Sequence, residues 1–363
     1  MYNVIGSVMV IIMILGNLEN FTVIYTYATN RKIRTVDNLF IVGIAISDMG
    51  QAILGVPLVV ASSFSKHWIF GYSSCQYYAF ITTFLGISQV ALLTSLAVDR
   101  YYIIVRCSRK LSNSFCRSIL TITTSFLFGF GWALGPLVGW SSYEEEIKGI
   151  ACSVSWEIKD NNHLSYTFSL LTFGWFIPLF IIGFGYTSIA WTIYQEKSLH
   201  QHLRKKSVRR SSRDKKVSVT LFLMIGAFIL SWLPYSVVSM WSALGNYESI
   251  PAWSQVAPAV FAKCSIIWNP IIYVARHSCF RKAIKEKIIC FTHMNILTIR
   301  RKTDRTINLL YLNMINKNKK EGTHGENVLL DSNFHNNQSC GDLAETLYID
   351  ASVNDKLDMS EMV

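Results

Sequence analysis

One lysine lies in an apolar run that is long enough to cross a membrane. Lys263 is the only charged residue between Glu248 and Arg276, and a bilayer is crossed by roughly 20 apolar residues. A charge near the middle of such a run costs at least ~2.5 kcal/mol, so it usually has a function. A desolvated lysine is a nucleophile that forms a Schiff base with an aldehyde. Its position leaves two hypotheses open, covalent attachment of a cofactor and pairing with a buried carboxylate, and disfavours snorkelling to the surface.

Other polar residues inside apolar segments form a second group of candidates. Asn20, Asp48 and the pair Asn269 and Pro270 all lie where the bilayer is expected. Such residues usually face the interior of a helix bundle and hydrogen-bond to one another. We interpret them as an interior polar network, in which Asp48 is also a candidate for a response to an ion or a proton.

The composition predicts which elements position these residues. Of the 363 residues, 51% are hydrophobic and only 16% are charged, whereas soluble domains have about 25% charged residues. Seven apolar segments are predicted to be helices, because lipid forces backbone groups to hydrogen-bond within their own segment. Their approximate bounds are 4–29, 38–62, 74–105, 118–138, 164–195, 217–241 and 250–273. The predicted fold is an all-α membrane protein, a bundle of seven transmembrane helices.

The net charge of +11 reflects topology rather than nucleic-acid binding, and no nucleic-acid partner is predicted. Lys and Arg are concentrated in the loops after the first, third and fifth helices, such as 204–216. Cytoplasmic loops have this excess, which predicts a multi-pass protein with its N-terminus outside and its C-terminus in the cytoplasm. The eight cysteines are too few and too scattered for a zinc site, so no metal is predicted.

Two domains are expected, a seven-helix membrane domain at 1–290 and a cytoplasmic, largely disordered tail at 291–363, which is polar and rich in Asn and Lys. Apolar and basic residues alternate at helical spacing over 277–290, which predicts a short amphipathic eighth helix on the inner membrane surface. Cys290 at its end is a candidate palmitoylation site, and a buried or free thiol is an equal alternative.

A charged motif lies at the predicted inner end of the bundle. Asp99, Arg100 and Tyr101 end the third segment, and Asp214 precedes the sixth. An arginine between two carboxylates can form a breakable ionic contact, and a ligand that favours one of two such states can signal across a membrane. This pattern indicates a receptor.

Together these motifs resemble the rhodopsin-like G-protein-coupled receptors, over helices one to eight. The motifs are Asp99-Arg100-Tyr101, Ser231-Trp232-Leu233-Pro234-Tyr235 and Asn269-Pro270-Ile271-Ile272-Tyr273. Lys263, six residues before Asn269, resembles the retinal-binding lysine of the opsins. The resemblance implies that Lys263 carries retinal as a protonated Schiff base and that light activates a heterotrimeric G protein, with arrestin and a receptor kinase as further partners. The residues implied in activation are Asp99, Arg100, Tyr101, Asp214, Asn269, Pro270 and Tyr273.

The resemblance also implies a chromophore pocket between the helices, because retinal is a long apolar polyene that fits an aromatic-lined cleft. Trp232 is expected against the ring end of retinal. The other positions expected to line the pocket are Tyr235, Thr82 and Gly86. Further aromatic residues are candidates for its wall, with ordinary packing as an equal alternative: Trp241, Phe176, Phe80 and Phe84.

A buried cation needs an anion, or its proton leaves. Vertebrate visual opsins place a glutamate three residues after the cysteine that begins helix three, and here that residue is Tyr78. The resemblance therefore implies that Glu146, six residues before Cys152, is the counterion. Glu145 is the alternative counterion. A third interpretation is that these glutamates belong to an ordinary solvated acidic loop. Cys75 and Cys152 match the disulfide that joins the second extracellular loop to helix three in this superfamily.

Within the opsins, the sequence looks most like the peropsins, for example at Ala97-Val98-Asp99-Arg100-Tyr101 and Cys152-Ser153-Val154-Ser155-Trp156. Peropsins resemble photoisomerases that bind all-trans-retinal and convert it to 11-cis. The alternative function is therefore a retinal photoisomerase with little or no G-protein signalling. Amine receptors of this superfamily have an aspartate seven residues after the cysteine that begins helix three. Here that residue is Thr82, so an amine receptor is disfavoured. Helix four departs from the family at Phe126, where a tryptophan is usual.

Overall fold

The computed structural model describes residues 1–106, 114–146, 149–199, 208–245, 252–278, 280–286, 289, 303 and 305–314. Seven helices in this part of the chain are long and apolar enough to cross a membrane. We call them spans 1 to 7, with the bounds Tyr2–Thr29, Asn38–Ser65, Gly71–Ile104, Phe115–Val138, Asn161–Gln195, Lys216–Leu244 and Val256–Arg276. The predicted seven-helix fold is confirmed, and each predicted segment overlaps one span.

Several spans consist of more than one helical element. The α-helices are α1 Tyr2–Thr29, α2 Val36–Leu54, α3 Val56–Ser65, α4 Gly71–Ile104, α5 Phe115–Leu134, α6 Asn161–Leu171, α7 Ile177–Leu199, α8 Val208–Leu244, α9 Ala252–Lys263 and α10 Ser265–Arg276. Short 3-10 helices occupy Arg31–Ile33 and Gly135–Val138, and a π-helical turn occupies Thr172–Phe176.

The starts of three helices follow ordinary capping chemistry. Thr35, Ser114 and Asp160 precede α2, α5 and α6, and each side chain accepts a hydrogen bond from a backbone N–H of the first turn. These N–H groups have no partner within the helix, so a side-chain oxygen at the cap position stabilises the start. Capping therefore fixes where spans 2, 4 and 5 begin.

Spans 2 and 7 each contain a break in the helix. In span 2, α2 ends before Gly55 and α3 begins with Val56 and Pro57, whose ring is tolerated in a first helical turn. In span 7, α9 ends at Lys263, and the backbone N–H of Cys264 bonds to the Phe261 carbonyl three residues earlier. The lysine identified in the sequence therefore lies at an interruption of its helix.

Spans 3 and 4 approach each other closely at one glycine. A Cβ atom added at Gly129 would lie 2.1 Å from Ser88 Oγ and 2.6 Å from the Phe84 carbonyl oxygen. No side chain fits there, so the hydrogen of glycine allows the two backbones to meet. Gly129 thus fixes the position of span 3, which carries several residues of the site described below.

One end of the bundle carries a β-hairpin, and we call it the hairpin end; the opposite end is the Arg100 end. Strands β1 (Tyr143–Glu145) and β2 (Cys152–Val154) pair antiparallel, with Glu145 opposite Cys152. The Tyr143 hydroxyl donates to the Ala133 carbonyl at 2.8 Å, and Gln76 Nε2 donates to the Tyr143 carbonyl at 2.8 Å. The hairpin is thereby attached to spans 3 and 4.

The chain divides into two compact units, Met1–Phe280 and Arg281–Val363. All seven spans belong to the first unit. In the second unit, the described residues 281–286 and 305–314 are helical. The amphipathic eighth helix, the domain boundary at 290 and the disordered tail stay predictions, and Cys290 lies outside the described residues.

Candidate functional site

A cavity opens between spans 2, 3, 5, 6 and 7 and the hairpin, with about 980 Å³ of empty space including its mouth. Lys263 lines it, together with all four residues expected in a chromophore pocket, Thr82, Gly86, Trp232 and Tyr235. The structure therefore brings together residues from three spans that lie up to 181 positions apart in the sequence.

Lys263 reaches this cavity from the break in span 7, close to an aromatic residue of span 3. Its Nζ atom lies 5.6 Å from the centroid of the Tyr78 ring. Tyr78 is 1% exposed, so the ammonium group faces a desolvated ring, an arrangement that attracts a cation. The resemblance to visual opsins called for a glutamate at this position of helix three. Tyr78 is instead a neutral neighbour of the lysine.

Glu146 follows β1 directly and lines the same cavity. Its backbone N–H donates to the Ala151 carbonyl at 2.9 Å, which extends the hairpin pairing and turns the side chain inward. Burial raises the pKa of the Glu146 carboxyl above its ordinary value of 4.5, although attraction to Lys263 and a hydrogen bond with Ser153 act in the opposite direction. Glu146 is thus a half-buried acidic group under the influence of the Lys263 charge.

The two preceding glutamates have different environments. Glu144 and Glu145 are exposed, and neither lines the cavity. Glu144 accepts a hydrogen bond from Ser142 at 3.2 Å. Of the three adjacent carboxylates, Glu146 alone shares the cavity with Lys263, which favours Glu146 over Glu145 as the counterion.

The predicted disulfide is present and joins the hairpin to span 3. Cys75 and Cys152 are bonded with an S–S distance of 2.08 Å and a Cα–Cα distance of 5.5 Å. Because Cys152 lies opposite Glu145 in the hairpin, the bond also restrains the strand end from which Glu146 projects.

Trp232 lies against the middle of span 3. A Cβ added at Gly86 would be 3.4 Å from Trp232 Cη2, so the indole ring occupies the space that a larger side chain would need. Trp232 Nε1 donates to Ser265 Oγ at 3.2 Å, two residues after Lys263. The indole therefore contacts span 3 and span 7 at once, next to the break that carries the lysine.

Two tryptophans that the sequence reasoning missed also line the cavity, Trp156 and Trp175. Trp156 Nε1 donates to the Tyr235 hydroxyl at 3.3 Å, which joins the segment after the hairpin to span 6. Trp175 lies in the π-helical turn of span 5, which changes the direction of the side chains along that helix. No simple helical pattern in the sequence predicts the inward direction of Trp175.

Four aromatic residues proposed for the cavity wall do not line it, so these candidates were wrong. Phe80 and Phe84 pack against Phe130 at ring distances of 5.7 and 6.0 Å, on the side of span 3 that faces span 4. Trp241 and Phe176 are 57% and 49% exposed and point away from the bundle interior. All four side chains lie on faces of their helices that point outward or towards a neighbouring helix.

The interior polar residues form the expected kind of network on the side of the cavity nearer the Arg100 end. Asp48 accepts hydrogen bonds from Gln89 Nε2 at 2.7 Å and from Asn269 Nδ2 at 3.1 Å. Asn20 Nδ2 donates to the Ile266 carbonyl at 3.1 Å rather than to Asp48. Asp48 thus joins spans 2, 3 and 7, and Asn20 joins span 1 to span 7.

The residues that the resemblance implies in activation lie towards the Arg100 end. Arg100 is 1% exposed and forms an ion pair with Asp99 at 2.5 Å. The side chain of Asp214 lies outside the described residues, so the second half of the proposed ionic contact stays a prediction. The Tyr273 hydroxyl donates to Asn38 Oδ1 at 2.7 Å. The remaining motif residues lie in helices, Tyr101 in α4 next to the Phe184 ring at 5.9 Å and Pro270 inside α10.

The structure is a bundle of seven membrane-spanning helices with a cavity between them, and sequence comparison identifies its class. The family model for the 7 transmembrane receptor (rhodopsin family) matches residues 19–273. The chain belongs to this family of receptors and, within it, to the opsins.

Relatives and a solved structure agree with this assignment. The chain is 32% identical to the visual pigment-like receptor peropsin of Mus musculus, over 81% of this chain and 87% of that protein. It is 35% identical to the melanopsin of Rattus norvegicus, over 79% of this chain but only 62% of that melanopsin. The crystal structure of squid rhodopsin matches with a TM-score of 0.73 and 30% identity, covering 79% of this chain and 85% of that one.

Proposed function

We propose that this opsin is a light-activated receptor that binds retinal covalently through Lys263. The observation that carries the proposal is the position of Lys263, at a helix break in an aromatic-lined cavity that is also lined by the carboxylate of Glu146. Retinal would supply the absorption of light and the change of shape. The cavity residues fit this group, because they combine apolar rings for a polyene with one amine for its aldehyde.

Glu146 is proposed to stabilise the positive charge at Lys263. A buried cation is unstable without a nearby anion, and the carboxyl of Glu146 shares the cavity with Lys263. Tyr78 would support the same charge with its ring and hydroxyl. The hairpin and the Cys75–Cys152 bond would hold Glu146 in place.

Signalling is proposed to pass from Trp232 to the Arg100 end. Trp232 bonds to Ser265 on span 7 and touches Gly86 on span 3, so a change in ligand shape would act on three helices. Asn269 and Asp48 lie between that point and the Arg100–Asp99 pair. Displacing these contacts would favour a second state that binds a heterotrimeric G protein through the loops after spans 3 and 5, with arrestin and a receptor kinase as later partners.

The proposed topology places the hairpin end outside the cell and the Arg100 end in the cytoplasm. It rests on the basic residues of the loops at the Arg100 end. The tail from 291 would then be cytoplasmic, with an amphipathic segment over 277–290 at the membrane surface and Cys290 available for palmitoylation.

The proposal is tested by absorption spectra of the purified receptor after addition of all-trans-retinal and, separately, 11-cis-retinal. We expect a band distinct from free retinal that Lys263→Ala abolishes and Lys216→Ala retains. Lys216 begins span 6 and is a matched lysine outside the cavity. A folded receptor that forms no band with either isomer would contradict retinal binding.

Two further measurements on the same pigment separate the receptor from the photoisomerase alternative. Light-dependent nucleotide exchange on a purified G protein tests signalling. Extraction of the retinal isomers before and after illumination tests conversion of all-trans to 11-cis. A pigment that isomerises retinal but stimulates no exchange on any G-protein class would support the photoisomerase.

A further inference from the structure

A cluster of polar side chains outside the cavity joins the start of span 5 to the hairpin. We call it the His163 cluster, and its members are Ser142, Glu144, Ser155, Asp160 and His163. The His163 side chain is 12% exposed. Its Nδ1 lies 2.8 Å from Asp160 Oδ1, and its Nε2 lies 3.2 Å from Ser142 Oγ. The imidazole ring therefore bridges the cap of span 5 and the residue that precedes β1.

Ser142 has more polar neighbours than one hydroxyl proton can serve. Its Oγ donates to Glu144 Oε1 at 3.2 Å and also lies 2.8 Å from Ser155 Oγ. A hydroxyl has one proton to donate and two lone pairs that accept. Because the Ser142 proton points to Glu144, the contact with His163 has a donor only when Nε2 carries a hydrogen.

The other side of the imidazole ring has the same requirement. Hydrogen bonds from the backbone N–H and the ring of His163 lower the pKa of the Asp160 carboxyl below its ordinary value of 3.8, so this carboxyl is ionised at neutral pH. An ionised carboxylate only accepts hydrogen bonds, so Nδ1 must carry a hydrogen as well. Both ring nitrogens donate only in the imidazolium ion. The hydrogen bonds of the cluster are therefore complete only when His163 is protonated.

The charged side chains that the structure shows around His163 are mostly acidic. Asp160 contacts the ring directly, and Glu144 is linked to it through one hydroxyl. Glu157, in the segment after β2, is a further carboxyl near the cluster, and burial and repulsion from Glu144 raise its pKa. Lys159 donates to a backbone carbonyl at the end of span 6. These surroundings stabilise a positive charge on the imidazole.

We propose that His163 is a positioning residue that fastens the hairpin to span 5 through Ser142 when it is protonated and releases the hairpin when the proton is lost. Without that proton, Nε2 and Glu144 compete for the single hydrogen of Ser142, so one of the two contacts fails. The backbone N–H of Ser155 donates to the Ser142 carbonyl at 3.0 Å, so a change at Ser142 reaches both strands. Histidine ordinarily changes its charge between about pH 5 and 8, which makes the attachment sensitive to pH.

The attachment has a consequence for the residue that follows β1. Glu146 belongs to the same hairpin, and its backbone N–H donates to the Ala151 carbonyl at 2.9 Å. A hairpin released from span 5 holds the Glu146 carboxyl less firmly over the cavity. This effect on a pigment rests on the proposed retinal-binding function, whereas the attachment itself does not.

Hydrogen exchange of the full-length receptor without retinal tests the proposal between about pH 5.5 and 8, where histidine changes its charge. The probes are the amides of Glu146 and Ser155, which bond to the Ala151 and Ser142 carbonyls. After correction for intrinsic exchange, their protection in wild type should fall about tenfold as the pH rises, the effect of about one hydrogen bond to a charged group.

Three variants separate a titrating histidine from a merely structural one. His163→Phe should have low protection at every pH, and His163→Lys, which stays charged over this range, should keep high protection at the upper limit. Asp160→Asn retains a good helix cap but removes the carboxylate beside the ring. The midpoint of the fall should therefore move to lower pH by about one unit in Asp160→Asn.

Two controls should follow wild type. His67→Phe is the matched histidine, because His67 is exposed at the hairpin end and its ring bonds to the Ser65 carbonyl. Glu157→Gln removes the other titrating group next to the cluster. Equal protection at low and high pH in wild type would overturn the inference, as would a pH profile that persists in His163→Phe or disappears in Glu157→Gln.

The test remains decisive when one variant fails to fold. If His163→Phe cannot be purified, an unchanged midpoint in Asp160→Asn would overturn the inference by itself, and a midpoint shifted to lower pH would support it. Because exchange is measured without retinal, failure of the receptor to form a pigment contradicts the proposed function and leaves the attachment of the hairpin to be judged by these profiles.

Discussion

Lys263 Nζ lies 5.6 Å from the centre of the Tyr78 ring, at the place on span 3 where the resemblance to visual opsins called for a glutamate. The span itself therefore offers the lysine an aromatic face and a hydroxyl but no negative charge. Glu146, which the hairpin brings to the same cavity, is the proposed source of the negative charge. In this proposal, compensation of the lysine charge is divided between an element inside the membrane bundle and one that covers its end.

Replacement of Glu146 tests this division. In Glu146→Gln we expect the protonated pigment to lose its proton at a lower pH, with more than a tenfold loss of proton affinity, because its compensating charge is gone. The measurement is a pH titration of the absorption band. Glu145→Gln is the matched control, since that carboxylate is exposed and outside the cavity; an equal effect of both changes would show that only the general acidity of the loop matters.

The stability of the ligand-free receptor should depend on pH through the same carboxyl. The pKa of Glu146 is raised above 4.5 in the folded state by burial, so the folded state holds this proton more tightly than the unfolded state. Its contribution to stability is full below 4.5 and is lost as the pH rises through the folded pKa. Thermal unfolding at several pH values should show this loss in wild type and Glu145→Gln, and a flatter profile in Glu146→Gln; equal profiles in all three would contradict it.

The contact between Gly86 and Trp232 predicts a limit on side-chain size. Ala at position 86 places its Cβ 3.4 Å from the indole, an ordinary contact, so pigment formation should change little. Leu would extend into the ring and the cavity, and we expect at least a tenfold loss of retinal uptake, equivalent to about 1.4 kcal/mol. The measurement is pigment yield against retinal concentration. Gly131→Leu is the control, because open space surrounds that glycine; equal losses would indicate a general folding defect.

Loss of the disulfide should lower stability and release the hairpin. Removing Cys152 from the bond with Cys75 opens a link between residues 77 positions apart, and removal of such a bond typically costs about 2–5 kcal/mol. We expect a lower unfolding temperature and a reduced pH midpoint of the pigment, because Glu146 is no longer restrained. Cys116→Ala, which removes an exposed free cysteine, should leave both quantities unchanged; unchanged values in Cys152→Ala would contradict a restraining role.

The bundle itself could be predicted from the sequence because its physical cause is local. Each span is a long apolar run, and lipid leaves a helix as its natural conformation. Lys263 stood out for the same reason, as one charge in such a run. The resemblance to the opsins added two predictions, the role of Glu146 and the pairing of Cys75 with Cys152. The hairpin brings Glu146 and Cys152 to the cavity that Lys263 lines.

The direction of individual side chains could not be predicted in the same way. A π-helical turn at Thr172–Phe176 and the interruption after Lys263 rotate the helix faces that follow them. The aromatic candidates named from the sequence therefore missed Trp175, which lines the cavity, and included Phe176, which is exposed. Phe80 was misassigned because it lies on the face of span 3 that packs against Phe130 of span 4, not on the face that lines the cavity.

The bond between Cys75 and Cys152 also links the optical properties of the receptor to the way it is made. Disulfides form in oxidising compartments such as the lumen of the endoplasmic reticulum. A chain produced in a reducing host could insert its helices correctly and still leave the hairpin unattached, with Glu146 free to move away from the lysine. The colour of a recombinant preparation would then report the redox history of its synthesis as well as its sequence.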